Sequence, residues 1–95
     1  MKQGQIQEAL QDCNRLIDVN PSFANAFYVR GQVWERQEQS ESAIEDFNMC
    51  LMLDASHVNA AYSKAAAKNR SGNFLEAIMD YRAALALDSK NYASP

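Results

Sequence analysis

The sequence predicts an all-α fold in which antiparallel helical hairpins stack in series, about five helices in all. Three observations carry that prediction. The chain matches itself at an offset of 34 residues, and a period of roughly 20 to 50 residues marks stacked repeat architectures. Apolar residues return at steps of three and four, as on one face of a helix, and none keep the alternation of a strand. Turn-forming residues fall between the periodic stretches, where helices must stop.

The self-match runs through the whole unit. Ala9, Ala43 and Ala77 share one column, and so do Leu10, Ile44 and Ile78; Asp12, Asp46 and Asp80; Cys13, Phe47 and Tyr81; Ile17, Leu51 and Leu85. The intervening segments superpose as well, with Asn25 over Asn59, Ala26 over Ala60, Tyr28 over Tyr62 and Arg36 over Arg70.

Taken in order, the first helix is expected near residues 5 to 18, closed by Asn20-Pro21-Ser22, because proline cannot continue a helix. The second, near 24 to 37, carries Phe27, Gly31 and Trp34 on one face. The third, near 41 to 53, presents Ile44, Phe47 and Leu51 and closes at Asp54-Ala55-Ser56. The fourth, near 58 to 70, stops at Ser71-Gly72-Asn73, and the fifth, near 75 to 87, presents Ile78, Tyr81 and Leu85 before Asp88-Ser89. Connectors of about three to six residues force neighbouring helices antiparallel, and one hairpin cannot cover its own apolar stripe. Gly31, Ala43, Ala65 and Ala77 are the positions where backbones are expected to approach closely, and added bulk there should cost about 1 to 3 kcal/mol.

Composition bounds the function. With 95 residues, 47% hydrophobic and a net charge of -3, the chain is a single domain that packs a core. Its pI near 5.0 argues against duplex nucleic acid, which needs clustered cations. No apolar run reaches the length of a membrane span, and the N-terminus lacks the apolar core of a signal peptide, so an intracellular, cytoplasmic protein is expected. Cys13 and Cys50 lie on the stripe expected to be buried and read as small hydrophobes. One histidine and no CxxC leave no zinc site, and no metal or cofactor is expected. His57 reads as an exposed loop residue without a catalytic partner, and phosphate-loop and dinucleotide motifs are missing, so no enzyme is expected. Glu45 with Asp46, and Glu76 with Asp80, read as solvated helix charges, while the column Asp12, Asp46, Asp80 suggests a solvated or helix-pairing role.

These residues resemble the tetratricopeptide repeat family, whose unit of 34 residues is a helix-turn-helix. Ala24 to His57 matches a full unit: Phe27, Gly31, Trp34, Ala43 and Phe47 take the family's large and small positions, Cys50 stands for a small residue, and Ala55 replaces the usual proline. Val58 to Asn91 matches through Gly72, Phe74, Ala77, Ile78, Tyr81, Ala84 and Leu87. Its first helix departs, with Ala61 where a large residue is usual and Lys64 and Lys68 at normally apolar positions. Residues 1–23 match only the second helix of a truncated unit, through Gly4, Ala9 and Pro21, so the organisation is 1–23, 24–57, 58–91 and a tail, 92–95, read as the start of a further repeat. The resemblance implies a right-handed α-solenoid. The chain looks cut from a longer array, and apolar stripes at its ends imply self-association by stacking or helix exchange.

The resemblance further implies a non-enzymatic protein-interaction module that holds an extended peptide or helix in a concave groove lined by the first helix of each hairpin. The matching positions carry Asn25, Tyr28, Val29, Gln32 and Arg36, then Asn59, Tyr62, Ser63, Ala66, Asn69 and Arg70. Amides suit that task, offering both donors and acceptors to a peptide backbone, and tyrosines add flat apolar area with a polar tip. Ten of the twelve acids lie in the second helices and their turns, while residues 55 to 75 carry Lys64, Lys68 and Arg70 without one acid, so a mildly basic face favouring acidic peptides is expected. The alternatives are a repeat that serves only to stack and oligomerise, and a chaperone cofactor gripping a heat-shock protein C-terminus. For the latter, the positions of the required Lys, Asn and Arg clamp fall on Tyr28 with Gln32, or on Val29 with Asn59 and Ser63, so its basic groups are missing.

Overall fold

The computed structural model describes residues 3–93, with side chains described over 4–89. Met1, Lys2, Ser94 and Pro95 lie outside the described residues, and with them the last two positions of the expected tail. Five helices follow one another: α1 (Gln3–Val19), α2 (Ala24–Arg36), α3 (Ser40–Leu53), α4 (Val58–Arg70) and α5 (Phe74–Ala93). Among the described residues there is no strand. Helices α2 and α3 pair as one hairpin and α4 and α5 as another, α1 packs on α2, α3 on α4, and α2 meets α4 along the array. This is an all-α helical solenoid.

Each turn has a local cause. After α1, the Ser22 N–H donates to Asn20 Oδ1 at 3.2 Å, and after α3 the Ser56 N–H donates to Asp54 Oδ1 at 3.2 Å. Aspartate and asparagine make such turns because the short side chain reaches the backbone two residues on. The α4–α5 turn needs Gly72, whose φ of +92° lies in the left-handed region that glycine enters without steric cost. At the equivalent place in the α2–α3 turn stands Glu38, with φ +62°.

The core has two centres. Phe27, Cys50 and Ala60 form one, with Ile17, Tyr28 and Leu51 packed around it. Ala43, Phe47 and Ala67 form the other, flanked by Tyr28, Trp34 and Ile44. The expected small positions are where the backbones meet. Ala43, Ala65 and Ala77 are buried, and a Cβ on Gly31 would stand 2.5 Å from Phe47 Cε1, so only glycine lets that ring lie against α2. Ala9 is half-buried. The α2 and α4 helices cover Ala43 and Ala77, and no helix among the described residues pairs with α1 in that way. Cys13 and Cys50 are buried free thiols, as expected. Burial raises the pKa of both, that of Cys50 to about 11, because the thiolate would lose its hydration.

Three expectations are corrected. The fifth helix runs through Asp88-Ser89 to Ala93 instead of stopping at 87. No proline or glycine stands between Asp88 and Ala93 to stop the helix, and the Asp88 carboxylate lies close enough to Tyr62 to raise its pKa. His57 is half-buried rather than a solvated loop residue: its Nδ1 accepts the Ala60 N–H at 3.0 Å and caps α4. Asp46 is no solvated charge. It is 5% exposed and takes a bidentate pair from Arg30, Nε to Oδ2 at 2.9 Å and Nη2 to Oδ1 at 2.8 Å, while Arg30 Nη1 donates to Asn14 Oδ1 at 2.8 Å. One guanidinium thereby joins α1, α2 and α3, and its hydrogen bonding to Asp46 raises its own pKa.

Candidate functional site

The first helices of the two hairpins, α2 and α4, lie side by side because α3 packs against both. Between them runs an open cleft of about 300 Å³ lined by Gln32, Glu35, Arg36, Phe47, Ser63, Ala66 and Arg70. Five of the eleven residues expected to line a groove therefore meet in one place: Gln32, Arg36, Ser63, Ala66 and Arg70. Helical spacing explains the selection, since 32 and 36, and 63, 66 and 70, each share a face. Phe47, fully buried, forms the floor.

The other six surround that cleft or turn from it. Tyr28 is half-buried, its ring 6.1 Å from Phe47 and 4.8 Å from His57, and its hydroxyl accepts from Gln32 Nε2 at 2.8 Å, which fixes the amide at the cleft edge. Tyr62 repeats the arrangement in the second hairpin, 6.4 Å from Tyr81. Partial burial and then the negative charge of Asp88 raise its pKa. The tyrosines thus pack between the helices of each hairpin, and neither lines the cleft. Asn25 is exposed, with Oδ1 3.3 Å from His57 Nε2. Val29, Asn59 and Asn69 are exposed on the same two helices.

The expected basic face is neutralised. Lys68 Nζ stands 3.0 Å from Asp80 Oδ2 and 3.4 Å from Glu76 Oε1, and Lys64 Nζ stands 4.0 Å from Asp80 Oδ1, so both lysines face α5. The Asp80 carboxylate paired with it holds the Lys68 pKa up. Across the cleft, Arg70 Nη1 donates to Glu35 Oε2 at 3.2 Å, which leaves Arg36 as the cleft cation without a carboxylate partner among the described residues. Sequence reasoning missed Glu35. The repeat contained the signal, because Glu35 occupies the column of Asn69, one of the groove positions. Among the described residues, no cluster of His, Cys, Asp or Glu could hold a metal ion, and no helix is long and apolar enough to cross a membrane.

A family model described as tetratricopeptide repeat matches residues 1–55, more than half the chain. The chain belongs to the tetratricopeptide repeat family. No curated protein matches significantly by sequence. Among solved structures, a crystal structure of MamA superposes with a TM-score of 0.92 at 24% identity, covering 95% of this chain and 53% of that one. A second MamA crystal structure gives 0.85 at 25% identity, over 95% of this chain and 50% of that one. This tetratricopeptide chain thus spans about half the length of MamA. The NMR structure of the second TPR domain of human RPAP3, in complex with the HSP70 peptide SGPTIEEVD, gives 0.85 at 23% identity, over 90% of this chain and 72% of that one. Repeat modules of this fold act generally in protein interaction.

Proposed function

We propose that this chain is a non-enzymatic module that grips an extended segment of a partner protein in the α2–α4 cleft. The observation that carries the reading is the meeting of Gln32, Ser63, Arg36 and the Glu35–Arg70 pair over an apolar floor. An amide and a hydroxyl supply donors and acceptors for a peptide backbone, and Phe47 and Ala66 supply apolar contact. Arg36 favours a carboxylate on the bound segment. An exposed pair there contributes below about 1 kcal/mol, enough to bias sequence choice without dominating affinity.

Selection from a displayed library of random peptides tests this. The parent chain should enrich a family of sequences containing an acid; Ala66→Trp, which fills the cleft, should lose that family while keeping its helical circular dichroism; and Arg36→Ala should keep binding but lose the acid. The reading fails if Ala66→Trp enriches the same peptides as the parent.

A second reading has its own observation. The α3 face of Ile44, Phe47 and Leu51 lies under α4, whereas the corresponding α5 residues Ile78 and Leu85 are each 55% exposed, beside Leu75 at 80% and Met79 at 69%. An apolar strip of that kind favours self-association through α5. A mass from light scattering that stays monomeric at millimolar concentration removes it.

A further inference from the structure

On the opposite face of α4 from the cleft lies a second pocket, of about 210 Å³, whose walls include Leu51, Ala61, Lys64, Asp80 and Leu87. The first hairpin shows what such a space holds. Moving each wall residue back by one repeat turns Ala61 into Phe27, Lys64 into Arg30, Asp80 into Asp46 and Leu51 into Ile17. There the Phe27 ring is buried, with Ile17 packed around its cluster and the Arg30 guanidinium 5.4 Å from the ring centroid, itself held by Asp46. The second hairpin keeps the wall, the cation and the acid and has lost the ring.

We propose that this pocket binds the phenyl ring of a phenylalanine side chain carried by a partner segment, with Lys64 lying over the ring as Arg30 lies over Phe27. Charge complementarity identifies the occupant. An ammonium facing an apolar pocket gains from the negative face of an aromatic ring and gains nothing comparable from an aliphatic group. Lys64 is available for it: Asp80 is held closely by Lys68 at 3.0 Å, and the Lys64 contact is the long one, at 4.0 Å. Exposed Ala55 and Ala83 stand at the pocket and open it to solvent, so a ring on a polypeptide can enter from outside. This site is separate from the α2–α4 cleft and does not depend on what the cleft binds.

The experiment is a titration of isotope-labelled protein with three capped pentapeptides, Gly-Gly-X-Gly-Gly, where X is phenylalanine, cyclohexylalanine or alanine, with toluene as a fourth probe. The phenylalanine peptide should shift the Ala61, Ala83, Leu51 and Leu87 methyl signals saturably, and the alanine peptide should not. Cyclohexylalanine should bind about two- to fivefold more weakly, the size of a cation–π preference at a partly exposed site. Lys64→Gln should erase that preference while leaving apolar binding in place. Two variants close the pocket by different routes, Ala61→Phe from inside and Ala83→Trp at the mouth, and both should abolish the shifts. Shifts that survive both closures, absence of shifts with the phenylalanine peptide, or binding of toluene alone would each overturn the proposal. Ala61→Phe that stabilises the fold while the parent ignores every probe would show a packing vacancy and nothing more, and would overturn it too.

Discussion

The two hairpins occupy the same columns of one repeat and are built from different chemistry. In the first, Phe27, Trp34 and Phe47 fill the space between α2 and α3, and a bidentate pair, Arg30 with Asp46, is enclosed with them. In the second the same columns hold Ala61, Lys68 and Tyr81, and α4 and α5 meet through alanines and a Lys64–Asp80–Lys68–Glu76 group. What the hairpins share is the small residue at each close approach, Gly31 with Ala65, Ala43 with Ala77 and Cys50 with Ala84, all buried. The repeat is therefore held in shape by where bulk is forbidden, and large residues can be exchanged for ion pairs without changing the helix geometry.

That difference is sharpest at the aromatic of each second helix. Phe47 is fully buried beneath α2 and α4, whereas Tyr81 is 36% exposed. Phe47→Ala should cost about 3 to 5 kcal/mol in urea unfolding, the range for a buried aromatic, and Tyr81→Ala clearly less. Equal losses would mean that the second hairpin is as tightly packed as the first and would dissolve the contrast. A smaller effect probes the close approach itself. Gly31→Ala drives a methyl into Phe47, whose ring is enclosed and cannot retreat, and should lose about 1 to 3 kcal/mol. In Gly31→Ala combined with Phe47→Leu, much of that loss should return, because the clash partner has changed shape.

Much of the fold is legible in the sequence because repetition supplies its own control. Four of the five helix ends follow from the turn residues between periodic stretches, the buried cysteines from the apolar stripe, and the small positions from column agreement. What periodicity does not reveal is pairing between columns. Lys64 and Lys68 look like a basic face until Asp80, twelve residues on from Lys68, is seen to lie across the hairpin. Arg30 and Asp46 are 16 apart and form the same cross-hairpin contact. The end of α5 is hidden for a related reason: Asp88-Ser89 resembles Asp54-Ala55-Ser56 in sequence, but Asp54 Oδ1 accepts the Ser56 N–H in a turn whereas the helix continues through Asp88. Column agreement also groups the groove residues with the tyrosines of the same helices, and only contacts separate Gln32 and Arg36, which line the cleft, from Tyr28, which packs beside it.

The smallest expected effect has the opposite sign. Glu38 and Gly72 are one repeat apart and close their turns identically: the N–H of each donates to the carbonyl three residues back, Glu35 at 3.0 Å and Asn69 at 3.2 Å, and the next N–H donates to Trp34 at 2.9 Å and Lys68 at 2.9 Å. Both have positive φ, and for Glu38 that conformation costs about 1 to 2 kcal/mol. Glu38→Gly removes this strain but adds freedom to the unfolded chain worth about 0.4 to 1 kcal/mol. Relief of strain outweighs the added freedom, so the variant should be more stable by roughly 0.5 kcal/mol, and Gly72→Ala should be less stable by about the strain it introduces. A rise in the urea midpoint for the first and a fall for the second, with unchanged slopes, would show that the two turns are one structure in which only one hairpin carries the residue suited to it. A fall for both would mean that the Glu38 side chain contributes more to the first hairpin than its backbone strain costs.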